Sequence, residues 1–186
     1  MEVEYEQSYF EAGKDGKGYE LYGNFEAHLI RATHIVEMFN PTSVLDCGCA
    51  YGYIVRYLLD KGISAFGIDI SRWCEEKAKT IIPHNFMRHD IRKPLPFPDM
   101  SFDLLYCEGV LEHIEEKYID DIMKEFGRVA KRRLFQIALE EHKDVGKEVG
   151  HQCIKPHSWW ANKMPMRTFL ALHASSDTNM FWIYKG

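Results

Sequence analysis

The feature that most constrains this chain is a short apolar strand, Ser43-Val44-Leu45-Asp46-Cys47, that runs straight into Gly48-Cys49-Ala50-Tyr51-Gly52. Small residues at 48, 50 and 52 let the backbone turn sharply and come close to a ligand. Tyr53 to Lys61 then has helical spacing, and Gly62 is its stop. A buried strand, a glycine turn and a helix in that order open a parallel βαβ unit, and the question is whether the rest of the chain continues the pattern.

It does. Ser64-Ala65-Phe66-Gly67-Ile68-Asp69 reads as a second strand, and Ser71 caps a helix running to about Thr80, ended by Pro83. Asn85 to His89 is a third strand. Pro94, Pro96 and Pro98 make a rigid loop before a fourth strand, Phe102-Asp103-Leu104-Leu105-Tyr106-Cys107. Tyr118 to Val129 is helical and Leu134 to Leu139 is a fifth strand. Such alternation predicts a parallel sheet covered on both faces, with right-handed crossovers: a doubly wound α/β sandwich. Phe25 to Phe39 adds a helix before the first strand, stopped by Asn40-Pro41. Arg167 to His173 and Asn179 to Lys185 predict a terminal antiparallel hairpin. Residues 1–24 are rich in Tyr and Gly, too aromatic for a disordered tail and too glycine-rich for a regular element, and read as an ordered flap. The expected organisation is one domain over residues 1–186: the flap, a ligand-binding core at 25–140 and an acceptor-side segment at 141–186.

With 186 residues, 46% apolar and 27% charged, the chain has the composition of a single globular domain. A net charge of −5 without a basic stripe argues against binding long nucleic acid. The one basic cluster, Lys131-Arg132-Arg133, is expected to be a solvated helix end favoured by the macrodipole. Cys47, Cys49, Cys74, Cys107 and Cys153 have neither disulfide nor zinc spacing, so no metal is expected and a reducing, cytoplasmic setting is. The acidic N-terminus predicts no signal peptide, and no apolar window predicts a membrane span.

In an open parallel sheet the ligand sits beyond the carboxyl ends of the strands. Asp69 ends the second strand, where a carboxylate accepts both hydroxyls of a ribose, or alternatively serves as a helix-leading residue beside Ser71. Asp90 follows the third strand, placed for an adenine amino group or as a plain loop acid. The spacing Gly48-x-Ala50-x-Gly52 differs from the dinucleotide fingerprint, and Asp46 just before it opposes a pyrophosphate. Such an acid suits a zwitterion with a cationic centre, as in S-adenosylmethionine, although it also serves to cap the turn.

Four segments in succession resemble the motifs of class I S-adenosylmethionine-dependent methyltransferases, over about residues 40 to 140. They are Val44 to Gly52, Gly67-Ile68-Asp69-Ile70-Ser71, Leu95-Pro96-Phe97-Pro98-Asp99-Met100-Ser101-Phe102-Asp103 and Val110-Leu111-Glu112-His113-Ile114. The similarity is to the broad group of ubiquinone-pathway and small-molecule enzymes. Tyr5-x-x-x-Tyr9-Phe10, Gly18-Tyr19 with Tyr22, and His151 with Trp159-Trp160 are similar to segments of a glycan-associated subgroup.

The resemblance implies a mainly parallel seven-stranded Rossmann-like sheet of order 3-2-1-4-5-7-6, the seventh strand antiparallel. It implies Gly48, Ala50 and Gly52 as the methionine cradle, with Asp46 its ammonium partner. Asp69 takes the ribose, Ile70 the adenine face, Asp90 and Ile91 the adenine edge, and Glu108 the sulfonium side. Tyr9, Tyr22 and Tyr51 are candidates for cation–π contact with the sulfonium. Ala50 stands where glycine is commoner, and the segment after Trp160 is short for the family.

The expected activity is methyl transfer to a small-molecule or glycan acceptor, with S-adenosylhomocysteine as the product, by a monomer or homodimer. If the acceptor is a hydroxyl or phenol, His151 or His113 is the expected base; otherwise His151 orders a loop, and the resemblance implies that the His113 stretch opens a helix under the cofactor. Competing expectations are a non-catalytic S-adenosylmethionine-binding regulatory subunit and a nicotinamide-dependent oxidoreductase.

Overall fold

Alternating apolar strands and amphipathic helices give the expected α/β architecture in a computed structural model that describes residues 5, 7–11, 25–139, 150–163 and 180–185. These fall into two compact units divided between Asp90 and Ile91. The first contains α1 (Gln7–Glu11), α2 (Phe25–Phe39), β1 (Ser43–Cys47), α3 (Tyr53–Asp60), β2 (Ser64–Asp69), α4 (Arg72–Ile81) and β3 (Phe86–Arg88). Its strands lie in the order β3-β2-β1, all parallel, with Asp46 beside Gly67 and Asp69 beside Arg88. Each parallel neighbour is reached through a helix, which is what a parallel pair requires.

The helices begin and end where the sequence signals them. Ser71 Oγ accepts from Cys74 N at 3.1 Å and caps α4. Past α3 the chain reverses at Gly62, whose φ of 77° lets Ile63 N reach Leu58 O at 2.9 Å. The α3 face that packs inward carries Ile54, Val55 and Leu58. Thr33 of α2 meets α3 through a 3.2 Å hydroxyl contact with Tyr57.

The second unit holds β4 (Phe102–Glu108), a 3₁₀ turn at Leu111–His113, α5 (Glu116–Val129), β5 (Ala130–Ala138), α6 (His157–Lys163) and β6 (Met180–Lys185). β4 and β5 are parallel, and β6 runs antiparallel along β5. Ile119, Ile122, Phe126 and Val129 form the buried stripe of α5. The proline loop is pinned to α5 by Arg128, which donates to Leu95 O, Phe97 O and Asp99 Oδ1 at 2.9, 2.8 and 2.8 Å and also grips Glu125. Glu125 in turn accepts from Leu95 N at 2.9 Å. Lys155 and Lys163 pair with Glu116 and Asp120 of α5, at 2.6 and 2.8 Å. All five cysteines are buried free thiols.

Several boundaries differ from the sequence reading. The third strand is shorter, Phe86–Arg88. A helix, α1, forms inside the segment expected to hold no regular element. Lys131-Arg132-Arg133 is not a solvated helix end: β5 starts at Ala130, and the three basic residues lie in the strand. Strand alternation disposes of them differently. Arg132 pairs with Asp103 of β4 at 2.6 Å, and Arg133 is buried, its guanidinium lying where a Cβ on Gly127 would fall, 2.6 Å away. Six strands are described, against the expected seven. One arm of the predicted hairpin is β6, antiparallel as the resemblance required of the last strand; the other, Arg167 to His173, lies outside the described residues.

Candidate functional site

The turn after β1 is built almost wholly from backbone. Gly48 N and Cys49 N both donate to Ile68 O, at 2.8 and 3.1 Å, so the end of β2 anchors the start of the turn. Gly48, Ala50 and Gly52 have φ of 84°, 46° and 82°, three left-handed residues in five. Ala50 is the one that carries a Cβ in this conformation, which costs about 1–2 kcal/mol. A specific bond offsets that cost: Ala50 N donates to Asp69 Oδ2 at 2.9 Å.

Asp69 therefore does two structural jobs. Its other oxygen, Oδ1, accepts from Ser71 N at 2.9 Å, so one carboxylate ties the end of β2 to the β1 turn and to the start of α4. Burial pushes its carboxyl above the ordinary value, and the bonds from Ser71, Ala50 and Ile70 pull it part of the way back. A carboxylate has about four lone-pair sites, so these bonds leave it able to accept again. Asp46 is 3% exposed at the end of β1. Burial first, and the Asp46 charge second, push the Cys47 and Cys49 thiols well up.

Glycine is required at two places here, for packing. A Cβ on Gly67 would stand 2.5 Å from Cys49 Sγ, and one on Gly52 would stand 2.3 Å from Ile82 Cδ1. Ile70, just past β2, is 41% exposed, uncommon for an isoleucine beside a buried acid. Asp90 is half-buried at the end of this unit.

The aromatic residues at the turn pack with α1. Phe10 is buried with Ala50, Tyr51 and Cys74, its ring 5.7 Å from Tyr51. Tyr51 Oη accepts from Trp73 Nε1 at 3.1 Å, and Tyr9 packs edge-on against Tyr5 and Phe10 at 5.0 and 5.1 Å. Tyr9 and Tyr51 thus share one aromatic cluster next to the turn; Tyr22 lies outside the described residues.

In the second unit Ile91 is buried, and Glu108 at the end of β4 takes a hydrogen bond from the Tyr106 hydroxyl. Gly109 N reaches Gln136 O at 2.9 Å. His113 is buried in the 3₁₀ turn, and its ring centroid lies 4.7 Å from that of His151, at 63°. The two sequence-nominated bases are therefore neighbours, though 38 positions apart in the chain (151 − 113). Glu112, which the sequence shows beside His113 but which was not among the expected site residues, is buried here as well. Among the described residues no group of three or more His, Cys, Asp or Glu side chains is arranged to hold a metal ion, and no helix is long and apolar enough to cross a membrane.

Comparison with known proteins follows from this geometry. The chain is 33% identical over 108 residues to an uncharacterised protein of Methanocaldococcus jannaschii, across 54% of this chain and 41% of that one. It is 31% identical over 97 residues to a rice (Oryza sativa subsp. japonica) protein named "Probable tocopherol O-methyltransferase, chloroplastic", across 48% of this chain and 26% of that one. The chain thus spans less than half the length of these curated relatives. The fold is similar to that of the magnesium protoporphyrin IX methyltransferase of Synechocystis PCC 6803, solved with bound S-adenosylmethionine. The TM-score is 0.62 at 18% identity, covering 87% of this chain and 78% of that one. Residues 44–133, just under half of the chain, match the model of the methyltransferase domain family.

Proposed function

We propose that the chain binds S-adenosylmethionine at the β1 turn and transfers its methyl group to a small-molecule or glycan hydroxyl. The observation that carries this reading is Asp69, a buried carboxyl group fixed by backbone N–H groups of Ala50 and Ser71, with acceptor capacity left for a ribose hydroxyl. A rigidly held carboxyl acceptor fits a ligand with hydroxyls better than one with phosphates. Exposed Ile70 beside it offers an apolar face for a purine. Asp46, buried near the end of β1, favours an ammonium over an anion.

S-adenosylmethionine supplies a methyl group already activated by its sulfonium, so the protein's work is binding, orientation and exclusion of water. Orientation of this kind can be worth about 7–11 kcal/mol. Gly48, Ala50 and Gly52 cradle the methionine portion with backbone. Asp90 serves the adenine edge, and the aromatic cluster of Tyr9, Phe10 and Tyr51 packs beside the turn. At the acceptor, His151 takes the hydroxyl proton on an imidazole nitrogen, with His113 against its ring.

The test is Asp69→Asn. The amide keeps one acceptor where the carboxylate offered two, and loses its charge. Charge-assisted bonds are worth about 1.5–3 kcal/mol each, so losing one lowers S-adenosylhomocysteine affinity by about 10- to 150-fold in calorimetry. Affinity within threefold of the parent, in protein that circular dichroism shows to be folded, removes Asp69 from the site. A parallel titration with NAD is expected to give no heat.

A further inference from the structure

The methyl-transfer reading leaves one buried carboxylate without a task. Glu112 is 2% exposed, and a burial of that degree is costly for a charged group unless its oxygens are engaged. Its side-chain Oε1 accepts from Ala138 N, the last residue of β5, at 3.0 Å. Its main-chain oxygen accepts from both Gln152 N and Cys153 N, at 2.8 and 2.9 Å. One residue therefore joins the 3₁₀ turn, the tip of β5 and the segment that starts at 150.

The position of these bonds in the chain gives them meaning. His113 directly follows Glu112, and His151 directly precedes Gln152. The two imidazoles whose centroids lie 4.7 Å apart are thus each one residue away from a bond made by Glu112. The main-chain bonds alone would let the turn and the 151–153 segment move together. The side-chain bond to Ala138 fixes both to β5, the element with the most extensive pairing in this unit.

We propose that Glu112 is a positioning residue, which holds the His113–His151 pair at a fixed place past the end of β5 so that His151 meets the acceptor in one orientation. The inference rests on the reading of His151 as the base. A displacement of about 1 Å in a catalytic group costs on the order of 100-fold in rate, so loss of this strut lowers kcat by about that factor and leaves S-adenosylhomocysteine affinity within threefold.

The experiment is NMR on protein with isotope-labelled histidine, following the cross-relaxation between the two rings in the full chain. Glu112→Gln retains an acceptor oxygen for Ala138 and is expected to keep the ring contact. Glu112→Ala is expected to lose it. Should Glu112→Ala fail to fold, Glu112→Asp replaces it, being one methylene too short to reach Ala138 while keeping the charge, and is also expected to lose the contact. Persistence of the contact in the alanine or aspartate variant, or its loss in the glutamine variant, overturns the proposal. The base assignment is judged separately by His151→Ala, with release of S-adenosylhomocysteine read over a panel of hydroxyl acceptors. Unchanged turnover there ends the role of His151 and leaves the ring contact to decide whether Glu112 is a strut.

Discussion

Gly52 offers a clean separation of two reasons for glycine. It precedes α3 with φ of 82°, and a Cβ there would lie 2.3 Å from Ile82 Cδ1 and 2.7 Å from Cγ1. In Gly52→Ala the left-handed backbone costs about 1–2 kcal/mol. Forcing a methyl into the buried Ile82 side chain costs about 1–3 kcal/mol more. Together these give about 2–5 kcal/mol, a Tm loss of roughly 5–15 °C for a chain of this size. Ile82→Ala removes both crowding atoms and leaves Cβ, 3.9 Å from the new methyl, at the price of a cavity worth about 2–5 kcal/mol. In that background Gly52→Ala is expected to cost only the backbone share. Urea unfolding of the four proteins gives a double-mutant cycle with a coupling of about 1–3 kcal/mol in favour of the double variant. If Gly52→Ala costs the same in both backgrounds to within about 0.5 kcal/mol, the clash is not what excludes a side chain at this position.

Two further outcomes are expected. The guanidinium of Arg128 holds the Glu125 carboxyl below its ordinary 4.5, so this pair stabilises the fold above that pH and the benefit is lost as pH falls through the lower folded value. The stability gap between parent and Glu125→Gln in urea unfolding is therefore expected to shrink between about pH 5 and pH 3, and a gap independent of pH contradicts the pairing. Phe10 ties α1 to Tyr51 and Ala50, so Phe10→Ala is expected to bring α1 amides to loop-like hydrogen exchange while β1 and β2 stay protected; unchanged protection in α1 means that another contact holds it.

The alternation of strands and helices was legible because parallel strands buried on both faces leave near-continuous apolar runs, as in Val44-Leu45 and Leu104-Leu105-Tyr106-Cys107. The β1 turn was legible from Gly48 and Gly52, since few sequences tolerate left-handed backbone so densely. The start of β5 was not. Lys131-Arg132-Arg133 looks like a helix terminus when only charge is counted, and its strand character depends on Asp103 and on the space left by Gly127, both distant in sequence. The helical α1 was hidden for a similar reason: its hold comes from Tyr51, not from its own five residues. At the site, the sequence nominated Asp69 for a ligand or as a helix-leading residue beside Ser71, but gave no hint that it also braces Ala50. His113 and His151 are far apart in the sequence, and only the folded chain brings their rings together.

The five thiols have a practical consequence. Cys47, Cys49 and Cys74 lie around the β1 turn and α4, while Cys107 and Cys153 lie in the second unit, and none meets solvent in the native state. Buried as they are, they are slow targets for alkylating reagents until the surrounding structure opens. The protein thus carries its own built-in reporters: timed alkylation followed by mass mapping would read the opening rate of each half independently, with no probe to engineer.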